Sequence, residues 1–203
     1  MVGGGSGQRF GRLKQYELLG DERVIDRSRR IAESVSDGVV VVVPRPDVDR
    51  ERGVAGGDTR SESVRAGLCG VPDDADIVCV HDAARPLATA DLYRAVIDAV
   101  IAGADGAVPG VPVTDTIKTV DEGGVVTATL DRGSLVGIQT PQAFRASRLR
   151  AVHAGNAEGT DDASLVEAIG GRVVVVPGEL GNRKITNRDD LDWACRFVVG
   201  ERR

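Results

Sequence analysis

Aromatic side chains make up only 3% of the 203 residues, cysteines number three, and there are two histidines. No apolar run approaches the ~20 residues of a membrane span. Each scarcity excludes something. With few aromatics, the 41% apolar fraction has to build its core from Val, Ile, Leu and Ala, the composition of buried parallel strands. Cys69, Cys79 and Cys195 are odd in number and widely spaced, with no CxxC pair. They exclude a disulfide framework or zinc knuckle, suit a reducing cytoplasm, and are expected as core thiols. The opening MVGGGSGQRF lacks the apolar stretch of a secretory signal. A cytoplasmic protein with no membrane partner is therefore expected. The net charge of −5 argues against a nucleic-acid partner.

The length suits one domain, residues 1–203, able to bury about 70% of its unfolded surface. Short β-branched runs read as strands at Val39 to Val43, Ile77 to Val80 (a buried one), Gly106 to Val108 and Val173 to Val176. Between them lie amphipathic helical patterns, one on Val24, Ile25, Ile31 and Val35, another on Leu92, Val96, Ile97 and Val100. Alternating strand and helix predicts βαβ units around a mostly parallel sheet. Thr59-Arg60-Ser61-Glu62 has the spacing of a capping box, and Asn187 to Asp190 that of an N-cap with acids in the first turn. Thr116 to Val120 and Val125 to Leu130, joined by Asp121-Glu122-Gly123-Gly124, read as a β-hairpin. Inserted in an α/β domain, it has to project or join a partner's sheet. Trp193 is expected to pack on the last helix and His153 to lie on a helix surface. No repeat, low-complexity tract or linker interrupts the chain.

Three stretches carry chemistry. Residues 1–30 hold seven cations against four anions, although the whole chain is acidic. Within them Gly3-Gly4-Gly5-Ser6-Gly7-Gln8-Arg9 can turn sharply and present bare amides to phosphate oxygens. Arg9 and Lys14 add positive charge for a developing phosphorane. The pattern is neither Walker A nor a clean GxGxxG, and a flexible tail is the plain alternative. Gly56-Gly57-Asp58-Thr59-Arg60-Ser61-Glu62-Ser63 runs a glycine pair into a capped helix. A turn plus cap explains Thr59 and Glu62, but not Gly57, Asp58 or Ser63. His81-Asp82-Ala83-Ala84-Arg85-Pro86 follows a strand at the end where open α/β sheets bind ligands. Asp82 can hold Mg2+, and Arg85 can grip a phosphate. The bland alternative is a network bracing the loop. A phosphate-binding glycine loop ordinarily follows a strand, yet only Met1 and Val2 come first. Either a strand precedes residue 1 or the sheet lacks a usually central member. In the second case several buried side chains are lost, each worth about 1.5–3 kcal/mol.

These motifs, in this order, resemble the 2-C-methyl-D-erythritol 4-phosphate cytidylyltransferases. The further matches are Asp115-Thr116-Ile117-Lys118, Asp131-Arg132, Gln139-Thr140-Pro141-Gln142, Thr160-Asp161-Asp162-Ala163-Ser164 and Lys184-Ile185-Thr186. The resemblance implies a Rossmann-like fold, a mostly parallel sheet with helices on both faces, and a projecting hairpin arm over residues 111–142. It implies transfer of a cytidylyl group from CTP to 2-C-methyl-D-erythritol 4-phosphate, with Mg2+, by a homodimer, in non-mevalonate isoprenoid synthesis. Carried over, Gly3, Gly4, Gly5 and Gly7 would line the triphosphate, and Arg9 and Lys14 would stabilise the transition state. Gly57, Asp58 and Ser63 would read cytosine, and Asp82 with Ala83 would contact the ribose or metal region. Arg85, Thr160 and Lys184 would hold the acceptor, with Lys184 also near the α-phosphate. Thr116, Arg132 and Thr140 would reach the acceptor phosphate from the partner subunit. Departures from the family pattern are Leu13 in place of Pro, Asp162 in place of Glu, Val136 in place of Trp, and a short stretch from Arg45 to Ala55. A ribitol-5-phosphate cytidylyltransferase and a degenerate, non-catalytic nucleotide-binding protein are the alternative readings.

Overall fold

Valine-rich segments of this chain form ladders where a neighbour pairs with them and stay irregular where none does. The computed structural model describes residues 1–4, 10–155 and 157–201. A short hairpin of β1 (Leu18–Leu19) and β2 (Glu22–Arg23) turns at Gly20, whose φ of +68° suits glycine. It leads into α1 (Val24–Glu33), which buries Val24, Ile25, Ser28 and Ala32. Next come β3 (Val42–Val43), α2 (Val48–Glu51), β4 (Val54–Ala55), α3 (Arg60–Leu68) and β5 (Ile77–Val80). The second half of the chain contributes α4 (Ala90–Ile101), β6 (Gly106–Pro112), β7 (Lys118–Val120), β8 (Val126–Thr129), β9 (Val136–Ile138) and β10 (Gln142–Arg145). It ends with α5 (Ala146–His153), α6 (Asp162–Ala168), β11 (Val173–Pro177) and α7 (Arg188–Glu201).

The central sheet runs β11-β6-β10-β5, with β9 added to the far end of β6. β11 is parallel to β6, whereas β10 is antiparallel to both β6 and β5, so β5, β6 and β11 point the same way. Val2 bridges in parallel to both Val42 and Asp82, and β3 is parallel to β4, which gives those segments the same direction. The sheet is therefore mostly parallel in sense.

Helices cover both faces, and strand residues alternate between them. Val80, Val108 and Phe144 pack with Leu149, Val152 and Val166 of α5 and α6. Their chain neighbours Ala107 and Ala143 pack with Val96 and Val100 of α4 on the other side. The helix ends follow the expected chemistry. Thr59 and Glu62 make both halves of a capping box, and the Asn187 side chain accepts the Asp190 N–H at 3.0 Å. Trp193 stacks on Phe197 in α7, their centroids 5.1 Å apart.

Four local expectations are corrected. The strand foreseen over Val39 to Val43 pairs only at Val42–Val43, opposite β4. β5 is half-buried along Ile77, Val78 and Cys79, not fully buried, because an open cleft runs beside it. Cys69 is exposed at the end of α3, and Cys79 and Cys195 are half-buried. His153 is buried, with its ring against Asp162.

The arm separates from the body after β6. β7 and β8 pair antiparallel, every residue of both is exposed, and β9 returns the chain to the sheet against Gly110 to Pro112.

Candidate active site

The carboxyl ends of β5 and of the Met1-Val2 stub meet at one rim of the sheet, where a doubly wound sheet binds its ligands. Ala83 N–H donates to the Val2 carbonyl at 2.9 Å, and Gly3 N–H donates to the Val42 carbonyl at 2.7 Å. Backbone ladders thus bring Gly3 and Gly4 alongside the His81 to Arg85 loop. A Cβ on Gly4 would stand 3.3 Å from Ser63 Oγ and 3.6 Å from Gly56 Cα, so the glycine lets two backbones approach closely. Lys14 heads a tight turn, Lys14–Tyr16, and the neighbouring Gln15 donates from Nε2 to the Gly3 carbonyl at 2.9 Å. The calls on Gly5, Gly7 and Arg9 lie outside the described residues.

Asp82 is the hub. Its Oδ2 accepts from Lys184 Nζ at 2.6 Å, and its Oδ1 lies 3.7 Å from Arg60 Nε. Burial works to raise this carboxyl's pKa, but Lys184 and Arg60 outweigh it and hold it below the usual carboxylate range. Lys184 is brought in by its neighbour, because Ile185 N–H donates to the Ala84 carbonyl at 2.8 Å and the Ile185 side chain is fully buried. Arg60 also reaches Asp162 at 2.7 Å, and Asp162 meets His153 Nε2 at 2.9 Å. Charges of alternating sign thus run from half-exposed Lys184 to a buried imidazole.

The loop is braced from below. Thr140 Oγ1 accepts the Asp82 N–H at 3.0 Å and stands 3.1 Å from His81 Nδ1. The hydroxyl proton then points to Nδ1, which leaves the ring proton on Nε2 for the Arg85 carbonyl at 3.2 Å. Burial pushes the His81 pKa down to about 3, so the ring is a neutral brace and not an acid–base group. Arg85 donates to the carbonyls of Asn182 at 2.7 Å and Ile138 at 3.4 Å, and its buried Nε has no partner among the described residues. Burial lowers the guanidinium pKa, with Asp82 acting in the opposite sense.

The structure brings Gly3, Gly4, Asp82, Ala83, Arg85, Thr140 and Lys184 together, with Ser63 beside Gly4. Thr140 is buried, and its hydroxyl bonds with Asp82 and His81 of its own chain. Thr116 and Arg132 stand on the arm, both exposed, with Arg132 donating to the Thr114 carbonyl at 2.7 Å. Thr160 is exposed at the entry to α6.

The turn before α3 has a local structural role. A Cβ on Gly57 would lie 2.3 Å from Glu62 Cβ, Asp58 N–H donates to Glu62 Oε2 at 2.6 Å, and Ser63 Oγ donates to the Thr59 carbonyl at 3.0 Å. Local bonding thus uses Gly57, the Asp58 main chain and the Ser63 hydroxyl, and leaves the Asp58 side chain unassigned.

Sequence reasoning missed Arg60, Asp162 and His153 as members of the site's charge network. One signal was present: a cation at the first position of a helix opposes the macrodipole, and it calls for an anionic partner nearby.

The model of the 2-C-methyl-D-erythritol 4-phosphate cytidylyltransferase family matches residues 1–200. The chain belongs to this family. The enzyme of that name from Rhodococcus jostii is 44% identical over 208 residues, which cover 96% of this chain and 91% of the relative. The "Bifunctional enzyme IspD/IspF" of Clavibacter michiganensis is 43% identical over 98% of this chain. The chain spans about half the length of that relative, 53%. Among solved structures, the 4-diphosphocytidyl-2C-methyl-D-erythritol synthase of Anaerococcus prevotii superposes with a TM-score of 0.84 at 28% identity, covering 98% of this chain and 95% of its own. The cytidylyltransferase-family architecture thus extends over both the rim and the projecting arm.

Proposed function

We propose that this chain joins CTP and 2-C-methyl-D-erythritol 4-phosphate, giving CDP-methylerythritol and pyrophosphate. A phosphate oxygen of the acceptor attacks the α-phosphorus of CTP, the bond from that phosphorus to the bridging oxygen of the β-phosphate breaks, and pyrophosphate leaves with the electron pair. Catalysis is positioning plus charge stabilisation, with no covalent enzyme intermediate. The observation that carries this reading is the Lys184–Asp82 pair beside the Gly3-Gly4 backbone, in a chain of this family.

Gly3 and Gly4, with Gly5 and Gly7, cradle the triphosphate through backbone amides. Arg9, Lys14 and Lys184 draw charge off the pentacoordinate phosphorus. Lys184, half-exposed, exchanges the Asp82 carboxylate for a phosphate oxygen when the nucleotide arrives. Gly57, Asp58 and Ser63 border the base, while Ala83 lies under the ribose. Arg85 and Thr160 orient the acceptor.

Mg2+ is taken by one or two carboxylates completed by substrate phosphates, so a single carboxylate at a phosphate cradle fits it. Asp82 is the residue that would hold it, and the ion would neutralise triphosphate charge.

The arm pairs with a second copy, and Thr116 and Arg132 meet the acceptor phosphate across that dimer. Val120, Val125, Val126 and Leu130 support this, being apolar and 39–64% exposed on the hairpin. A cytoplasmic location agrees with three free cysteines.

Purified protein given CTP and Mg2+ is assayed for pyrophosphate with each acceptor separately. Release with methylerythritol phosphate is expected. Faster release with ribitol 5-phosphate reassigns the substrate, and CTP binding without release from either identifies a non-catalytic protein.

A further inference from the structure

His153 and Asp162 are buried, Asp162 completely, and the transfer chemistry proposed above gives neither of them a task. Burying a carboxylate is costly unless its oxygens are answered by donors or cations. Asp162 Oδ1 takes His153 Nε2 at 2.9 Å. Its Oδ2 lies 2.7 Å from Arg60 Nη1, an ion pair rather than an aligned hydrogen bond. His153 Nδ1 is buried with no partner among the described residues, so the ring proton belongs on Nε2, the nitrogen that meets the acid.

The acid is held in place by its surroundings. It is the first residue of α6, and His153 is the last of α5. The preceding residue, Asp161, caps α6 by accepting the Ser164 N–H at 2.9 Å and accepts from Gln142 Nε2 of β10 at 3.0 Å. The carboxylate therefore stands on a platform built from α5, α6 and β10. Arg60, the first residue of α3, reaches from this platform to the rim, where its Nε lies 3.7 Å from Asp82 Oδ1. That second contact is longer than a hydrogen bond, so a small displacement of the guanidinium decides whether Asp82 is held by two cations or by Lys184 alone. Burial works to lower the Arg60 pKa, but Asp162 and Asp82 outweigh it and raise it, as befits one cation shared by two acids.

We infer that His153 is a positioning residue: by fixing the Asp162 carboxylate it sets where Arg60 stands, and so how firmly Asp82 grips Lys184. The inference rests on the proposed cytidylyl transfer. Arg60 at its present distance offsets part of the Asp82 charge, which leaves Lys184 free to move to a phosphate oxygen. Without the His153 bond, the bare Asp162 oxygen draws the Arg60 fork onto both oxygens of that acid, the geometry such pairs prefer. Asp82 then keeps Lys184. The loss falls on the chemical step more than on CTP binding.

The test compares His153→Gln, whose amide N–H can stand where Nε2 does, with His153→Asn, which is one bond too short. Both are made in the native chain and together with Asp162→Asn. Steady-state pyrophosphate release from CTP, Mg2+ and methylerythritol phosphate gives kcat and KM. His153→Asn is expected to lower kcat about tenfold with the KM for CTP within about threefold, and His153→Gln to keep kcat within about twofold. With Asp162→Asn there is no carboxylate to fix, so adding His153→Asn should cost less than about twofold. That pair of chains carries the comparison if the single variant does not fold. The inference is overturned if the two amides act alike, if the loss appears in KM alone, or if His153→Asn costs as much with Asp162→Asn as without it. The Arg60 Nε–H resonance, assigned by its loss in Arg60→Lys, reads the same linkage without turnover. It should shift in His153→Asn and hold its position in His153→Gln. An unmoved signal in His153→Asn overturns the inference even where activity falls. A native chain that releases no pyrophosphate sinks the transfer reading instead, and the resonance still decides whether His153 positions Arg60.

Discussion

Lys184 Nζ lies 2.6 Å from Asp82 Oδ2 across 102 residues of chain, while Arg60 approaches the other oxygen of the same carboxylate at 3.7 Å. Two cations on one buried acid form a charge store that a polyanion can draw on. On the proposed reading, a phosphate would replace the carboxylate as the partner of Lys184 without leaving Asp82 bare, since Arg60 would remain. Lys184→Ala is expected to lower turnover about a hundredfold or more and to change the KM for CTP only a few-fold. Steady-state pyrophosphate release reads both. Equal losses in kcat and affinity would make Lys184 a ground-state ligand.

The same pair has a pH signature. A carboxyl held below its ordinary pKa stabilises the fold above about pH 4, and that contribution is lost as pH falls through the folded value. His81 acts in the same direction for a different reason. Its folded pKa of about 3 lies below the ordinary 6.5, so from pH 6.5 downward the unfolded chain takes up a proton that the native ring refuses. Stability is expected to decline between pH 6.5 and 3, and His81→Asn to flatten that decline. Urea titrations at several pH values measure it. An unchanged slope would mean that the ring is protonated in the fold.

Thr140 holds the loop by one hydroxyl. Thr140→Val keeps the shape but strands the Asp82 N–H and His81 Nδ1, both buried. The expected cost is about 1–3 kcal/mol, seen as a fall in Tm of roughly 3–10 °C, with lost activity. An unchanged melting curve would show that neither bond contributes to stability.

The arm is tested by mixing. If Arg132 acts across the dimer, inactive Arg132→Ala and inactive Lys184→Ala chains recover activity when combined, because one of the two sites then holds both native residues. Roughly a quarter of native turnover is expected for random pairing with unaltered dimerisation. A dead mixture of folded, dimeric chains would confine each site to one subunit.

What was legible in the sequence was local or directional. The Thr59–Glu62 cap and the Asn187–Asp190 cap are fixed by a three-residue spacing, and both formed. The His81 to Arg85 loop was found because it follows β5 directly. What escaped was set by distant partners. Asp162 and Arg60 meet only once α6 packs near α3, and His153 is buried by that meeting and not by its own periodicity. The antiparallel return of β10 beside β5 carries Thr140 under Asp82, a placement that no local pattern shows. Val39 to Val41 have every propensity for a strand, and propensity alone does not supply the neighbour that a ladder needs.

Bridging Asp82 to Lys184 also depends on a segment that comes late in the chain. The lysine is delivered by the segment whose Ile185 N–H latches onto the Ala84 carbonyl, just ahead of the final helix. A chain still being synthesised, or one cut short before that latch, owns the glycine cradle but not the pair. If Lys184 acts on the triphosphate as proposed, competence arrives in a single late step, and a clipped product is silent instead of half-active.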